Sequence, residues 1–166
     1  MGGRRVVVLI GLPGSGKTSL ASPLCSRFGL ELIDRDTIRA RLFLECAFTH
    51  AEKQAANLAV LETLRGKCAA GMSSLIDGMT FGRRAERLAV QAIAAEHAFR
   101  CVGLWLDCPV DVAVVRVKAQ CHLAADRSPE LVREVAQRFE IPEDAVRIDA
   151  TLPMVEMIRL AEQALA

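Results

Sequence analysis

The chain has 166 residues, 52% of them hydrophobic and 25% charged, which suits one globular domain, residues 1–166, large enough to bury a core of its own. Its 21 basic and 20 acidic side chains leave a formal net charge of +1, less than expected of a protein that grips an extended nucleic acid, although a short strand end would still fit. No apolar run approaches the roughly 18 residues of a membrane span, Val6 to Ile10 is too short for a signal core, and the six cysteines have neither CxxC spacing nor a histidine cluster beside them. A cytoplasmic protein with reduced thiols and no membrane partner is expected.

Residues 5–10, RVVVLI, read as a strand, and the unbroken apolar run after Arg5 is that of a strand buried on both faces. Residues 17–28 read as a helix with Pro23 inside it, where a hydrogen bond is lost or a kink forced. A short strand is expected at 30–33. Helices follow at 37–46 and 50–70, the second closed by Gly71 where a left-handed residue is wanted. Then come a strand at 73–76, a helix at 84–97, a strand at 100–106 and a helix at 110–118 opened by Pro109. Pro129 opens another helix to about 139, a short strand covers 145–149, and an amphipathic helix closes the chain at 153–165. Strand followed by helix, five times over, specifies an α/β fold: a five-stranded parallel sheet with helices on both faces, in three layers. Ligands of such sheets sit beyond the carboxyl ends of the strands.

One motif stands at such an end. Gly11-Leu12-Pro13-Gly14-Ser15-Gly16-Lys17-Thr18 matches G-x-x-x-x-G-K-[ST] and lies between the first strand and its helix, the context that makes it a P-loop. Its glycines let successive N–H groups turn inward as an anion nest, and the helix beginning there adds partial positive charge. Gly11, Pro13, Gly14, Ser15, Gly16, Lys17 and Thr18 are therefore candidates for holding ATP: Lys17 reaches the β- and γ-phosphates and the Thr18 hydroxyl ligates Mg²⁺.

Two acidic segments follow other strands. In Asp34-Arg35-Asp36-Thr37-Ile38-Arg39, Asp36 stands at the expected helix N-cap with Arg39 three residues on. A cap with a surface ion pair is the plain reading. The functional one makes Asp36 the base toward an attacking hydroxyl, with Arg39 holding the acceptor or the transferring group and Asp34 the rival base. Asp77, followed by Gly78, Met79 and Thr80, is placed to hold Mg²⁺ through water or to bind the acceptor. Arg83, Arg84 and Arg87 form either a solvated basic face or a substrate contact. Phe43, Phe48, Met79 and Phe81 belong to the core or wall an apolar pocket.

These segments together resemble the zeta-toxin, polynucleotide-kinase-like and chloramphenicol-phosphotransferase group of small P-loop kinases. The resemblance rests on GLPGSGKT at 11–18, Asp36 and Arg39, the 77–80 segment with Arg84 after it, LDCP at 106–109, and Arg116, and covers nearly the whole chain. It implies a P-loop kinase using ATP and Mg²⁺, with Asp36 as base, Arg39 orienting substrate, Arg116 in a lid at about 116–130, and Thr151 in a loop bordering adenine. One departure is Gln120, where the lid pattern carries a second arginine. Such arginines are worth about 10³–10⁵ in rate, so either Lys118 or Arg127 takes over or catalysis is slow.

The acceptor implied is a small-molecule hydroxyl. A nucleic-acid 5′-hydroxyl end is the alternative, with Arg35, Arg39, Arg41, Arg83 and Arg84 as its patch, and an ATP-binding module without catalysis is the reading from outside enzymes. A GTPase is set aside because the chain's one asparagine, Asn57, is followed by leucine rather than by the lysine of a guanine reader.

Overall fold

A computed structural model describes residues 3–120 and 127–166; part of the expected lid at 116–130 lies outside the described residues. Five strands, β1 (Arg5–Ile10), β2 (Glu31–Asp34), β3 (Ser74–Asp77), β4 (Arg100–Asp107) and β5 (Val146–Asp149), form one sheet in the order β2-β3-β1-β4-β5. Every pairing is parallel. The helices are α1 (Lys17–Phe28), α2 (Arg35–Leu42), α3 (His50–Ala69), α4 (Arg84–Glu96), α5 (Val110–Ala119), α6 (Pro129–Gln137) and α7 (Met154–Leu165). The three-layer α/β/α arrangement read from the sequence is the one observed.

The unbroken apolar run of β1 has its cause in this layering. Val7 and Leu9 pack with Leu20, Leu24, Val117, Met157 and Ala161 under α1, α5 and α7. Val6, Val8 and Ile10 face the other way, onto Val60, Leu64, Val90 and Ile93 of α3 and α4. With water excluded from both faces, neither set of side chains can be polar. Pro23 is accommodated inside α1, which runs uninterrupted to Gly29, a left-handed cap whose N–H returns to the Cys25 carbonyl.

Chain direction decides what lies at the sheet's carboxyl edge. Strands β2 to β5 all end in aspartate, and register places them in two facing pairs, Asp34 with Asp77 and Asp107 with Asp149. A helix that crosses over between parallel strands runs back against them, so its first turns lie at this same edge. Helix α3 has 20 residues, about 30 Å. The strands beneath it have four, about 13 Å. Its buried stripe of Ala56, Val60, Leu64 and Cys68 covers the sheet, and its first turns reach past the sheet's edge.

Several boundaries move from expectation, most by a residue or two. Helix α2 changes most, starting at Arg35 instead of 37 and ending at Leu42 instead of 46. The cap is Asp34, not Asp36: its carboxylate accepts the N–H groups of Asp36 and Thr37. In a D-x-D-T stretch either acid has the local chemistry of a cap, and β2 decides the matter by continuing to Asp34. Past Leu42 the backbone turns extended at Phe43. Thr49 and Glu52 then close a capping box that starts α3 afresh.

Candidate active site

The P-loop packs tightly against α5. At Gly14 (φ 82°) a Cβ would lie 2.7 Å from the Ala113 carbonyl oxygen and 2.9 Å from Val117 Cγ2, so no other residue fits without displacing backbone. Gly16 opens α1 in a left-handed conformation, with no side-chain cap and no acid in the first turn. The donors at the start of this helix are thus left to an outside acceptor. The Gly11 N–H donates to the Thr80 carbonyl at 3.0 Å, fastening the loop to the segment after β3.

Lys17 is buried and folded back on its own loop. Its ammonium donates to the carbonyls of Gly11 (2.9 Å) and Leu12 (2.8 Å) and lies 3.5 Å from Ser15 Oγ. Burial lowers its pKa from 10.5 to about 8, against the pull of the Asp77 carboxylate in the other direction.

Asp77 is 3% exposed, and its Oδ1 has no hydrogen-bond partner among the described residues. A buried carboxylate oxygen left in this way costs free energy unless something meets it. Asp77 and Thr18 line the same cavity as Lys17. A hard oxygen donor, a hydroxyl and a nest of amides are the chemistry that would suit a hydrated Mg²⁺ and a phosphate. Gly78 (φ 86°) lines the cavity and has a packing role as well. A Cβ there would meet Asp34 Oδ1 at 3.0 Å and Arg35 at 3.1 Å, so this glycine lets α2 begin against β3.

Asp36, on the first turn of α2, lines the same cavity. Arg39 Nη2 lies 3.1 Å from its Oδ1, Arg127 Nη2 lies 3.0 Å from its Oδ2, and Arg35 is 3.9 Å away. Arg39 is itself buried, with its guanidinium 4.5 Å above the Phe48 ring. Phe48, with a positive φ of 57°, is therefore a platform for Arg39. Phe81 is fully buried core, Met79 lines the cavity, and Phe43 does not. Asp34, the rival base, is occupied with the α2 cap and the Thr37 hydroxyl.

The cavity between these groups measures about 1000 Å³. Arg116 lines it and donates to the Ala150 carbonyl at 2.8 Å. Gln120 and Arg127 line it too, whereas Lys118 is exposed on α5 and does not. Arg83 lines it in place of the expected Arg84, whose backbone N–H is held by Glu140 at 2.6 Å. Thr151 turns its hydroxyl and its amide to Asp149, so the wall beside it comes from Leu152, Met154 and Met157. Sequence reading missed the first turns of α3 (His50, Lys53, Gln54 and Asn57), Leu131 and Val135 of α6, and Arg138 just after it. The only local signal for the α3 set was a polar stripe at helical spacing, which has the same appearance as a solvated face.

A family model described as "AAA domain" matches residues 6–142. The chain belongs to this family. It is 28% identical over 160 residues to a shikimate kinase of Rhodopseudomonas palustris, covering 86% of this chain and 71% of that one. A shikimate kinase of Frankia casuarinae is 33% identical over 143 residues, covering 79% of this chain and 62% of its own length. Among solved structures, the Mycobacterium tuberculosis APS kinase in complex with AMPPNP and APS superposes with a TM-score of 0.71 at 16% identity, over 99% of both chains. This last likeness is one of fold. The narrower group named on sequence motifs, the zeta-toxin, polynucleotide-kinase-like and chloramphenicol-phosphotransferase proteins, is not shown by these relatives, the first two of which are named shikimate kinases. None of the described helices is long and apolar enough to cross a membrane.

Proposed function

We propose that this protein, residues 1–166 acting as one domain, is an ATP-dependent kinase that transfers the γ-phosphoryl group to a hydroxyl of a small molecule. One juxtaposition carries the reading: the Lys17–Thr18–Asp77 cradle lines the same cavity as Asp36 and Arg127, with Arg39 paired to Asp36. The named relatives support it, since both are kinases of a small hydroxylated compound.

In this reading the amides of residues 11–18 hold the triphosphate, and Lys17 leaves the Gly11 and Leu12 carbonyls for the β- and γ-phosphates. Arg116, Leu152, Met154 and Met157 border the nucleoside. Thr18 and Asp77 would hold Mg²⁺, which neutralises charge on the phosphate oxygens when bound. The acceptor oxygen attacks the γ-phosphorus, the bond from phosphorus to the β–γ bridging oxygen breaks, and ADP leaves. The hydroxyl proton passes to Asp36 Oδ2, which Arg127 vacates as it turns to the transferring group. Asp36 Oδ1 stays fixed by Arg39, and Arg39 by Phe48. Arg127 thereby does the work of the lid arginine replaced by Gln120, within a lid at about 116–130. Among the described residues that line the cavity there is no phenylalanine, tyrosine or tryptophan, so bases of a nucleic-acid end lack a large ring to stack on.

The test is incubation with ATP, Mg²⁺ and a panel of hydroxyl compounds, including 5′-hydroxyl oligonucleotides, with phosphate-ester products read by mass spectrometry. Asp36→Asn is expected to abolish transfer and leave nucleotide affinity nearly intact. Transfer at an undiminished rate in that variant would remove Asp36 as base, and exclusive labelling of oligonucleotides would replace the small-molecule reading.

A further inference from the structure

Arg83, Arg84 and Arg87 stand together in the sequence, and the structure separates them. Arg83 lines the cavity, Arg84 is exposed, and Arg87 is only 6% exposed. The buried stripe of α4 is Arg87, Val90, Ile93 and Ala94, so a cation takes its first place, where helical spacing calls for an apolar side chain. Burying a guanidinium costs free energy that its partners have to offset. Arg87 Nη1 donates to the Phe81 carbonyl at 2.8 Å, and no carboxylate of the described residues forms an ion pair with it. The charge therefore serves a single backbone carbonyl. That carbonyl belongs to a fully buried phenylalanine with a φ of 49°, a left-handed conformation that persists only where the surroundings impose it.

Phe81 is the middle of a strap, residues 79–83, that follows β3. Three successive carbonyls of the strap are each held by a different element. The P-loop holds the first, through the Gly11 N–H on Thr80 at 3.0 Å, and α4 holds the second, through Arg87 on Phe81. The segment after α6 holds the third, through the Glu140 N–H on Gly82 at 2.8 Å. Only the middle hold is made by a side chain. Met79, Thr80 and Arg83 of the same strap line the cavity. Strand β3 stands in the sheet between β2, which runs into α2 and Asp36, and β1, which runs into the P-loop. The strap thus leaves the sheet between the strand that leads to the carboxylate and the strand that leads to the phosphate cradle.

We propose that Arg87 is a positioning residue of this site: from behind the cavity, its guanidinium holds the Phe81 carbonyl, and through it the strap that fastens the P-loop at Gly11 and presents Thr80 and Arg83. The inference rests on the kinase reading for the reaction that is positioned, but not for the hold on the strap. With the middle carbonyl released, Phe81 can leave its left-handed conformation, and the carbonyls on either side lose their aim at Gly11 and Glu140. A displacement of about 1 Å at reacting groups costs about 10² in rate. Nucleotide affinity suffers less, because the cradle is packed independently against α5 at Gly14.

The test compares Arg87→Met, which loses the donors, with Arg87→Lys, which keeps the charge. Each is assayed for phosphoryl transfer to the best acceptor of the hydroxyl panel and for calorimetric Kd of a non-hydrolysable ATP analogue with Mg²⁺. Amide exchange is followed by NMR at Gly11, at Glu140 and along β1. In Arg87→Met, kcat is expected to fall about 10²-fold while the nucleotide Kd changes only a few-fold. The Gly11 and Glu140 amides should quicken by a larger factor than those of Val7, Val8 and Leu9, which a general loss of stability would not produce. Arg87→Lys should recover part of both losses. If Arg87→Met does not fold, Arg87→Gln, polar but too short to reach the carbonyl, is measured in its place. A parent-like kcat, a parent-like Gly11 amide, or exchange that quickens equally at Gly11 and along β1 each overturns the inference and leaves the kinase reading standing. A parent protein that transfers phosphate to nothing in the panel overturns the kinase reading instead, and the Gly11 amide then decides alone whether Arg87 holds the strap.

Discussion

Lys17 gives nucleotide binding a pH dependence that can be worked out from the structure. Burial holds its ammonium at a pKa of about 8 in the free protein, down from 10.5. A triphosphate placed beside it favours the charged form, so binding drives the lysine back toward its ordinary value. Below pH 8 the ammonium is already present and affinity is flat. Above it, each bound nucleotide must draw in a proton, and affinity falls by about tenfold between pH 7 and pH 9. The γ-phosphate is fully ionised by then and contributes little. The assay is titration calorimetry with a non-hydrolysable ATP analogue and Mg²⁺ at several pH values, in buffers of different ionisation enthalpy. About half a proton is taken up per nucleotide at pH 8 and nearly one at pH 9. Lys17→Met binds more weakly at every pH and shows no such slope. Flat affinity from pH 7 to 9.5 in the parent protein, with no proton uptake, would refute the reasoning. Folding stability is linked with the opposite sign: the unfolded lysine holds its proton up to 10.5, so this residue makes stability rise with pH between about 8 and 10.5. The thiols of Cys25, Cys68, Cys101 and Cys108, pushed up by burial, work against that rise, which makes binding the cleaner measurement.

Arg127→Gln is expected to lower kcat by about 10³, with nucleotide Kd changed only a few-fold, because its charge is needed mainly as the phosphoryl group moves. Lys118→Gln, on the exposed side of α5, should leave both unchanged, and steady-state kinetics on the two variants decides between them. Gly14→Ala forces a Cβ to within 2.7 Å of the Ala113 carbonyl oxygen at a φ of 82°. A loss of about 1–3 kcal/mol is expected in denaturant melts, with weakened nucleotide binding from the displaced loop.

The parts of the fold that were legible in the sequence are those where one physical cause acts alone. Continuous burial of β1 on both faces demands an apolar run, and the P-loop demands glycines at fixed spacing, so both are written as residue types. The start of α2 was misplaced because two acids two residues apart have equal capping chemistry. What separates them is the β2–β3 pairing, in which Asp34 faces Asp77, and that is a long-range fact. The same holds for Phe48, where nothing local distinguishes a cation–π platform from core, and for α3, whose cavity-lining stripe differs from a solvated face only in what lies opposite.

Moving the cap from Asp36 to Asp34 changes the chemistry assigned to the pair. A capping carboxylate is spent: its oxygens accept the N–H groups of Asp36 and Thr37 and the Thr37 hydroxyl, and releasing it would unravel the turn that carries its neighbour. The capped turn in return presents Asp36 with both oxygens turned to arginines, Arg39 on one and Arg127 on the other. Only the second of these partners comes from beyond residues 121–126, from a segment distant in sequence. In the proposed mechanism the fixed arginine keeps the carboxylate aimed while the other exchanges it for phosphate, so one ion pair would position the base and its neighbour would time the exposure of the oxygen that takes the proton. Two acids that look interchangeable in sequence are thereby divided into one that builds the helix and one that faces the cavity.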